Sequence, residues 1–283
     1  MLPNFLCLGA HKAGTTSLAA WLRRHPEVYL PELKEPRYFA FDPDSEDHRR
    51  KPRQIFPIRT LEEYEQLFNG GYGRKAIGEA SPQYLPSERA CERIANTIPS
   101  ARLLAIIRHP VSRAYSQYWM RVRTGAEKRP FSEAVRSDEG WVRNSLYYES
   151  LRRYTAAFGA ESLKVILFEE LVSQPDEILP GVCHHLAIRP ELAALELPRE
   201  NVGTHSRFPG FDRITRSPEL RAQLRKYLPT GIRHAMRRLR PRAPTIPPLS
   251  VNEKSEWGRI FLADVEKTSD LINRDLASFW RLR

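Results

Sequence analysis

Cysteine is scarce in this chain and long apolar runs are missing. Its 283 residues include three cysteines, Cys7, Cys91 and Cys183. They lie far apart and form no C-x-x-C pair, which argues against a zinc site and against a disulfide framework. Cys7 falls inside the apolar run FLCL and reads as a buried strand residue. No stretch of 18 or more apolar residues occurs, so no membrane span is expected. FLCLG is too short for the apolar part of a signal peptide and runs straight into a glycine loop, so a cytoplasmic, reducing location is the expectation. There is no internal repeat.

Positive charge, by contrast, is abundant. Lys and Arg number 45 against 34 Asp and Glu, a formal net charge of +11. Such a balance favours an anionic partner without choosing among nucleic acid, acidic lipid, polyanionic sugar and a phosphorylated cofactor. Hydrophobic residues at 41% and aromatics at 10% fit a globular enzyme able to bury a sizeable core.

Periodicity gives an alternating order of elements. The apolar run at residues 5–8 reads as a strand, and TSLAAWLRRHP as a helix ended by His25-Pro26, since the residue before proline is pushed out of the α region. KAIGE, ARLLAIIRHP and SLKVILFEEL read as further strands. LEEYEQLF, ERACERIANTIP, VSRAYSQYWMRVRTG, LYYESLRRYTAAFG and the segment through HHLAI read as helices. Strands alternating with helices predict an α/β fold, a P-loop-like, mainly parallel sheet with helices on both faces. The stretch from Val28 to Pro57 is rich in proline and charge and reads as a long excursion over the surface. From about Arg199 the chain turns strongly basic and proline-broken, and WGRIFLADVEKTSDLINRDLASFW closes it as one amphipathic helix. The expectation is a single domain over residues 1–283 with a basic C-terminal helical segment at about 199–283.

The loop GAHKAGTT, Gly9 to Thr16, follows the first strand and opens the first helix. A Walker A loop reads G-x-x-x-x-G-K-[ST]; here Thr15 stands where lysine belongs and Lys12 lies three positions earlier. A loop of this kind aims backbone N–H groups and the positive end of a helix dipole at one spot. Thr15, Thr16 and Ser17 add hydroxyls, and Lys12 approaches an anion from within the loop. By glycine spacing alone the segment is equally any strand-to-helix turn, or a P-loop kinase acting on a small metabolite with ATP and magnesium. Thr15 in the lysine position disfavours the kinase. Arg108 at the end of a buried strand and Ser116 eight residues later could flank a second phosphate at the sheet's C-terminal crevice. Glu79, at another strand end, is a candidate general base. Lys34 and Glu35 in LKEPRYF lie near the same edge.

Taken in this order, GAHKAGTTSL, KEPRYF, GEASPQY and AIIRHPVSRAYSQY resemble the sulfotransferases that use 3′-phosphoadenosine 5′-phosphosulfate (PAPS), in pattern nearest the heparan sulfate N- and 3-O-sulfotransferase branch and its bacterial relatives. The later segments LYYESLRRYTAAFGAESLKVILFEELVSQP and INRDLASFW carry the likeness over nearly the whole chain. The resemblance implies PAPS as sulfate donor, adenosine 3′,5′-bisphosphate (PAP) as product and no required metal. Lys12, Ala13, Gly14, Thr15, Thr16 and Ser17 match the 5′-phosphosulfate loop, Arg108 and Ser116 the 3′-phosphate site, and Glu79 the glutamate taken as base. Lys34 is assigned to the acceptor. Family members commonly carry lysine after that glutamate, where this chain has Ala80, which weakens transfer of a heparan acceptor. Arg207, in NVGTHSR, stands where the family places a loop over the nucleotide, without its usual Lys-Gly-Arg. His11, His25, His109 and His205 are the alternative bases. An anionic or polar acceptor, such as a glycan, glycolipid or natural product, is expected as partner. Nucleic acid is not, while the basic C-terminal segment offers peripheral membrane contact.

Overall fold

The computed structural model describes residues 1–192, other than 124 and 138, and residues 247–282. The basic stretch at 199–243, with His205 and Arg207, lies outside the described residues.

FLCLG and RLLAII are continuous apolar runs rather than alternating ones, as strands covered on both faces must be. They form β1 (Phe5–Gly9) and β4 (Arg102–Ile107), adjacent and parallel at the centre of the sheet. β3 (Ala76–Ala80) lies on the other side of β1, with Leu6 in register with Glu79. β2 (Val28–Tyr29) and β5 (Leu163–Leu167) form the edges, giving a wholly parallel sheet of order β2-β3-β1-β4-β5. Gly78 is required where β3 passes β1, because a Cβ there would stand 2.4 Å from the Phe5 carbonyl oxygen and 2.5 Å from its ring. The order reverses direction at β1, so the loop after β1 opens at the topological switch point of the sheet.

Helices cover the sheet: α1 (Thr15–Leu22), α2 (Glu46–Arg50), α3 (Leu61–Gln66), α4 (Glu88–Thr97), α5 (Pro110–Arg123), α6 (Phe131–Ser137), α7 (Glu139–Arg143), α8 (Tyr148–Phe158), α9 (Phe168–Ser173) and α10 (Pro175–Leu186). Pro110 occupies the first position of α5, where a missing N–H costs nothing.

Four details depart from the sequence reading. α1 ends at Leu22, not at His25; residues 23–26 form a turn in which the His25 ring binds the Arg189 carbonyl at 2.9 Å and the Glu27 amide at 3.1 Å. β5 stops at Leu167, and Phe168 already begins α9. The closing segment is not one helix but α11 (Val251–Gly258), a 3₁₀ turn, α12 (Leu262–Ile272) and α13 (Leu276–Phe279). Asn273 breaks it in the left-handed region at φ 52°, and Asp275 caps α13 by accepting from the Ser278 amide. Finally, the excursion over 28–57 is anchored rather than superficial. Tyr38, Phe39, Phe41 and Phe56 are buried, Tyr38 stacks on Tyr64 at 4.7 Å, and Arg93 lies over the Tyr38 ring while donating to the carbonyls of Tyr38, Phe39 and Phe41. Aromatic side chains without periodicity give no local sign of which ones find a pocket.

Candidate active site

The loop between β1 and α1 is shaped by its backbone. Lys12 adopts φ 69° and Gly14 φ 94°, and Gly14 caps α1 with no side-chain partner for the first-turn amides. Those amides therefore point out of the C-terminal edge of the sheet, where an anion can receive them. A Cβ at residue 14 would come within 2.8 Å of the Phe168 ring. That same ring carries the Arg108 guanidinium on its face, 4.4 Å from its centroid. Phe168 thus wedges between the glycine and the arginine.

Arg108 follows the last residue of β4 and donates from Nη1 to the Lys12 carbonyl at 3.1 Å. Its Nε is buried with no partner among the described residues. The two cations predicted for opposite ends of a nucleotide are therefore built into one arrangement. Burial lowers the Lys12 pKa from its ordinary value, and the positive charges of Arg123, Arg108 and Arg113 lower it further. Burial lowers that of Arg108 too. Lys12, Arg108 and Arg113 form no ion pair with a carboxylate among the described residues. Ser116 is half-buried on α5, the helix that Arg108 leads into.

A cleft of about 150 Å³, open to solvent, is lined by Thr15 and Thr16 of the loop's helix, by Lys34 and Glu35, and by Glu79 with Ala80. The sequence reading placed these residues at one edge, and the fold brings them together. The two carboxylates differ in access. Glu79 is 1% exposed, and its Oε atoms accept from the Tyr64 hydroxyl at 3.2 Å and the Ser81 hydroxyl at 2.8 Å. Burial pushes its pKa up to about 7, against the lowering effect of hydroxyls from Tyr84, Ser81 and Tyr64. The Glu35 side chain is 21% exposed, pairs with Arg37 and accepts from Gln83 at 3.0 Å. For Glu35, burial acts to raise the pKa, but the hydrogen bonds from Arg37 and Gln83 outweigh it and the carboxyl titrates below its usual range. Ser81 connects the two segments, since its Oγ also accepts the Arg37 amide at 3.0 Å.

The histidines separate by environment. His11 is pushed down to about 4 by burial and the Lys12 charge, and lines a smaller cavity with Pro82, Leu85 and Tyr147. His109 is also held near 4, by burial and then by Lys254 and Arg108, and its ring lies 6.1 Å from that of Trp280. His25 is bonded at both nitrogens in the turn after α1. None of these three lines the cleft that holds the two glutamates. Arg113 and Phe168 escaped the sequence reading, because an arginine inside a helix reads as solvent-facing and a phenylalanine after a strand reads as core.

The sequence model of the Sulfotransferase family matches residues 3–191. The chain belongs to that family. A crystal structure of a sulfotransferase from Alicyclobacillus acidocaldarius superposes on it with a TM-score of 0.70 at 28% identity, covering 99% of each chain. Among curated proteins, the membrane-associated sulfotransferase kil1 of Dictyostelium discoideum is 33% identical over 41% of this chain and 22% of its own length. Heparan sulfate glucosamine 3-O-sulfotransferase 5 of Mus musculus is 26% identical over 69% of this chain and 56% of its own. The chain thus spans about a fifth to just over half of the curated relatives it matches. A sulfotransferase fold is shared as well with the sulfotransferase domain of the curacin biosynthetic pathway, TM-score 0.53 at 16% identity. Among the described residues no helix is long and apolar enough to cross a membrane, and no group of His, Cys, Asp and Glu is arranged to hold a metal ion.

Proposed function

We propose that this sulfotransferase-family chain moves a sulfuryl group from PAPS to a hydroxyl or amine of an acceptor. The observation that carries the reading is the set of one buried and two half-buried cations without carboxylate ion pairs around a helix start that no side chain caps, beside a cleft that holds two carboxylates. An anionic nucleotide fits those residues: Arg108 Nε is buried and unpartnered, and the loop's amides are free of a side-chain cap. Support also comes from a mouse sulfotransferase of the same fold that was crystallised with PAP.

PAPS, when bound, supplies a sulfuryl group attached to a phosphate leaving group. Lys12 and the amides of Gly14, Thr15 and Thr16 hold its 5′ side, with Ala13 and Ser17 completing the loop. Lys12 in addition offsets the charge that collects on the bridging oxygen as the bond breaks. Arg108 and Ser116 hold the 3′-phosphate. The acceptor enters the cleft past Lys34, and a carboxylate takes its proton. Glu35 is the better placed for that task, being ionised at neutral pH and open to the cleft. Glu79 is a second reading, favoured by its pKa of about 7. Ala80 leaves the cleft without a cation beside Glu79, which favours a polar acceptor over a heavily sulfated one.

Calorimetric titration with PAP, and with ATP and magnesium as the contrast, tests the donor. PAP is expected to bind and ATP to fail. Absence of PAP binding, together with no turnover of labelled PAPS in a mixed glycan and metabolite extract, would overturn the reading. Glu35→Gln and Glu79→Gln decide the base: loss of the base costs about 10²–10⁴-fold in turnover. With Glu35 as base the rate is flat between neutral and mildly acidic pH, whereas with Glu79 it rises as pH passes about 7.

A further inference from the structure

Arg113 is the most completely buried cation of the described residues, 0% exposed on the inner face of α5. Each nitrogen of its guanidinium has a partner: Nε donates to the Ser145 hydroxyl at 2.6 Å, Nη1 to Gln117 Oε1 at 2.7 Å and to the His11 carbonyl at 3.5 Å, and Nη2 to the Trp141 carbonyl at 2.9 Å. Every one of these acceptors is neutral. Its hydrogen bonds are therefore satisfied and its charge is not. Burying an ion is costly unless an opposite charge stands close by. Burial pulls its pKa down to about 10, which still leaves it charged at neutral pH. The contact with the His11 carbonyl places it directly behind the anion loop, one residue from Lys12, and its field is felt by Lys12 itself.

We infer that Arg113 is a buried countercharge for the donor: it is held by neutral acceptors so that its positive charge is balanced when the donor's phosphates occupy the loop. It is a positioning residue, since it reaches the anion through the loop carbonyl and through its field, not by contact. Three cations then face one site from different depths, Lys12 in the loop, Arg108 at the strand end and Arg113 beneath. A ligand carrying two phosphates is preferred to one carrying a single phosphate or sulfate, which is the property that separates PAP from adenosine monophosphate or sulfate. This inference rests on the donor reading given above.

Full-length Arg113→Met, Arg113→Gln and Arg113→Lys test it, each measured for melting temperature without ligand and for affinity toward PAP. The Met and Gln variants leave the Ser145, Gln117 and Trp141 acceptors without their donor and are expected to lose some melting temperature without ligand, while PAP binds at least about 30-fold more weakly and adds correspondingly less stabilisation. Arg113→Lys, which keeps the charge, is expected to regain most of that affinity. The inference is overturned if Arg113→Gln binds PAP as tightly as wild type. It is equally overturned if the variants lose melting temperature while the stabilisation that PAP adds is unchanged, which would mark a purely structural arginine. If Arg113→Met fails to fold, the Gln and Lys variants decide between the same outcomes. Failure of the wild-type chain to bind PAP would remove the donor reading itself, whereas tight wild-type binding with indifferent variants removes only the role of Arg113.

Discussion

Two charged centres, one before the edge strand β2 and one after the central strand β1, are built on opposite plans. At the β2 edge, Glu27 is a nearly buried carboxylate surrounded by cations: Lys75 Nζ at 2.8 Å, and the amide and Nε of Arg189, each at 2.8 Å. Those partners, Lys75 first, bring its pKa down to about 2. At the β1–α1 loop, Arg113 is buried and Lys12 and Arg108 are half-buried, all three without a carboxylate ion pair among the described residues although the Glu169 charge acts on Arg108, and the pKa of each is lowered, by burial first. Charges at the first centre are compensated from within, and the centre is complete as it stands. At the second they are not, and under the proposed function the donor's phosphates supply the balance. A compensated cluster ties the segment after α10 to the start of β2; an uncompensated one is a candidate binding site.

Substitutions at the two centres should therefore have contrasting consequences. Lys12→Ala is expected to lower turnover by about 10²–10³-fold, the cost of one donor at a site of developing charge, and to leave the melting temperature of the free protein unchanged or raised. Equal loss of stability and turnover would break the contrast. Gly14→Ala acts on the same loop through its backbone: the left-handed conformation alone costs about 1–2 kcal/mol, and the new Cβ pushes the Phe168 ring off Arg108. Its mark is a lower melting temperature together with weaker PAP binding, measured by thermal denaturation with and without PAP.

Smaller effects follow from pH. Glu79 has a folded pKa raised to about 7 from an ordinary 4.5, so the folded state binds the extra proton between those values. Stability then falls as pH rises from about 4.5 to about 7, and Glu79→Gln should remove that slope in denaturant melts. Glu27 has the opposite sign. Its folded pKa is depressed, so its contribution is present above pH 4.5 and is lost as pH falls toward about 2. Glu27→Gln is expected to lower the melting temperature modestly at neutral pH, to weaken that acid dependence and to leave turnover at the wild-type level. A fall in turnover at Glu27 would show that the two centres are coupled.

Much of the scaffold was legible because its signals are local. FLCL and LLAII could only be strands covered on both sides, Pro110 marked a helix start, and GAHKAGTT announced an anion loop at a strand end. That Thr15, Lys34, Glu35 and Glu79 would meet at one edge was likewise readable from position. What escaped depends on neighbours distant in the chain. The polar stretch around KEPRYF gave no sign that Phe39 would pack against Tyr64 and Tyr84, or that Arg93 would gather three of its carbonyls. The left-handed Asn273 that splits the closing helix was read as one more helical position. Phe168 looked like the end of a strand, yet its ring sets the spacing between Gly14 and Arg108.

The sequence by itself determined the order of strands and helices and the likeness to the sulfotransferase family, and it marked the glycine loop with its displaced lysine as the candidate site, because each rests on residues close together in the chain. Only the tertiary structure decided which charges are compensated. Glu27 finds Lys75 and Arg189 from far along the chain, while Arg113 is buried among neutral acceptors drawn from the loop, α5, and α7 with the turn after it. Electrostatic balance depends on distance in space and on the exclusion of water, and the linear order of residues records neither.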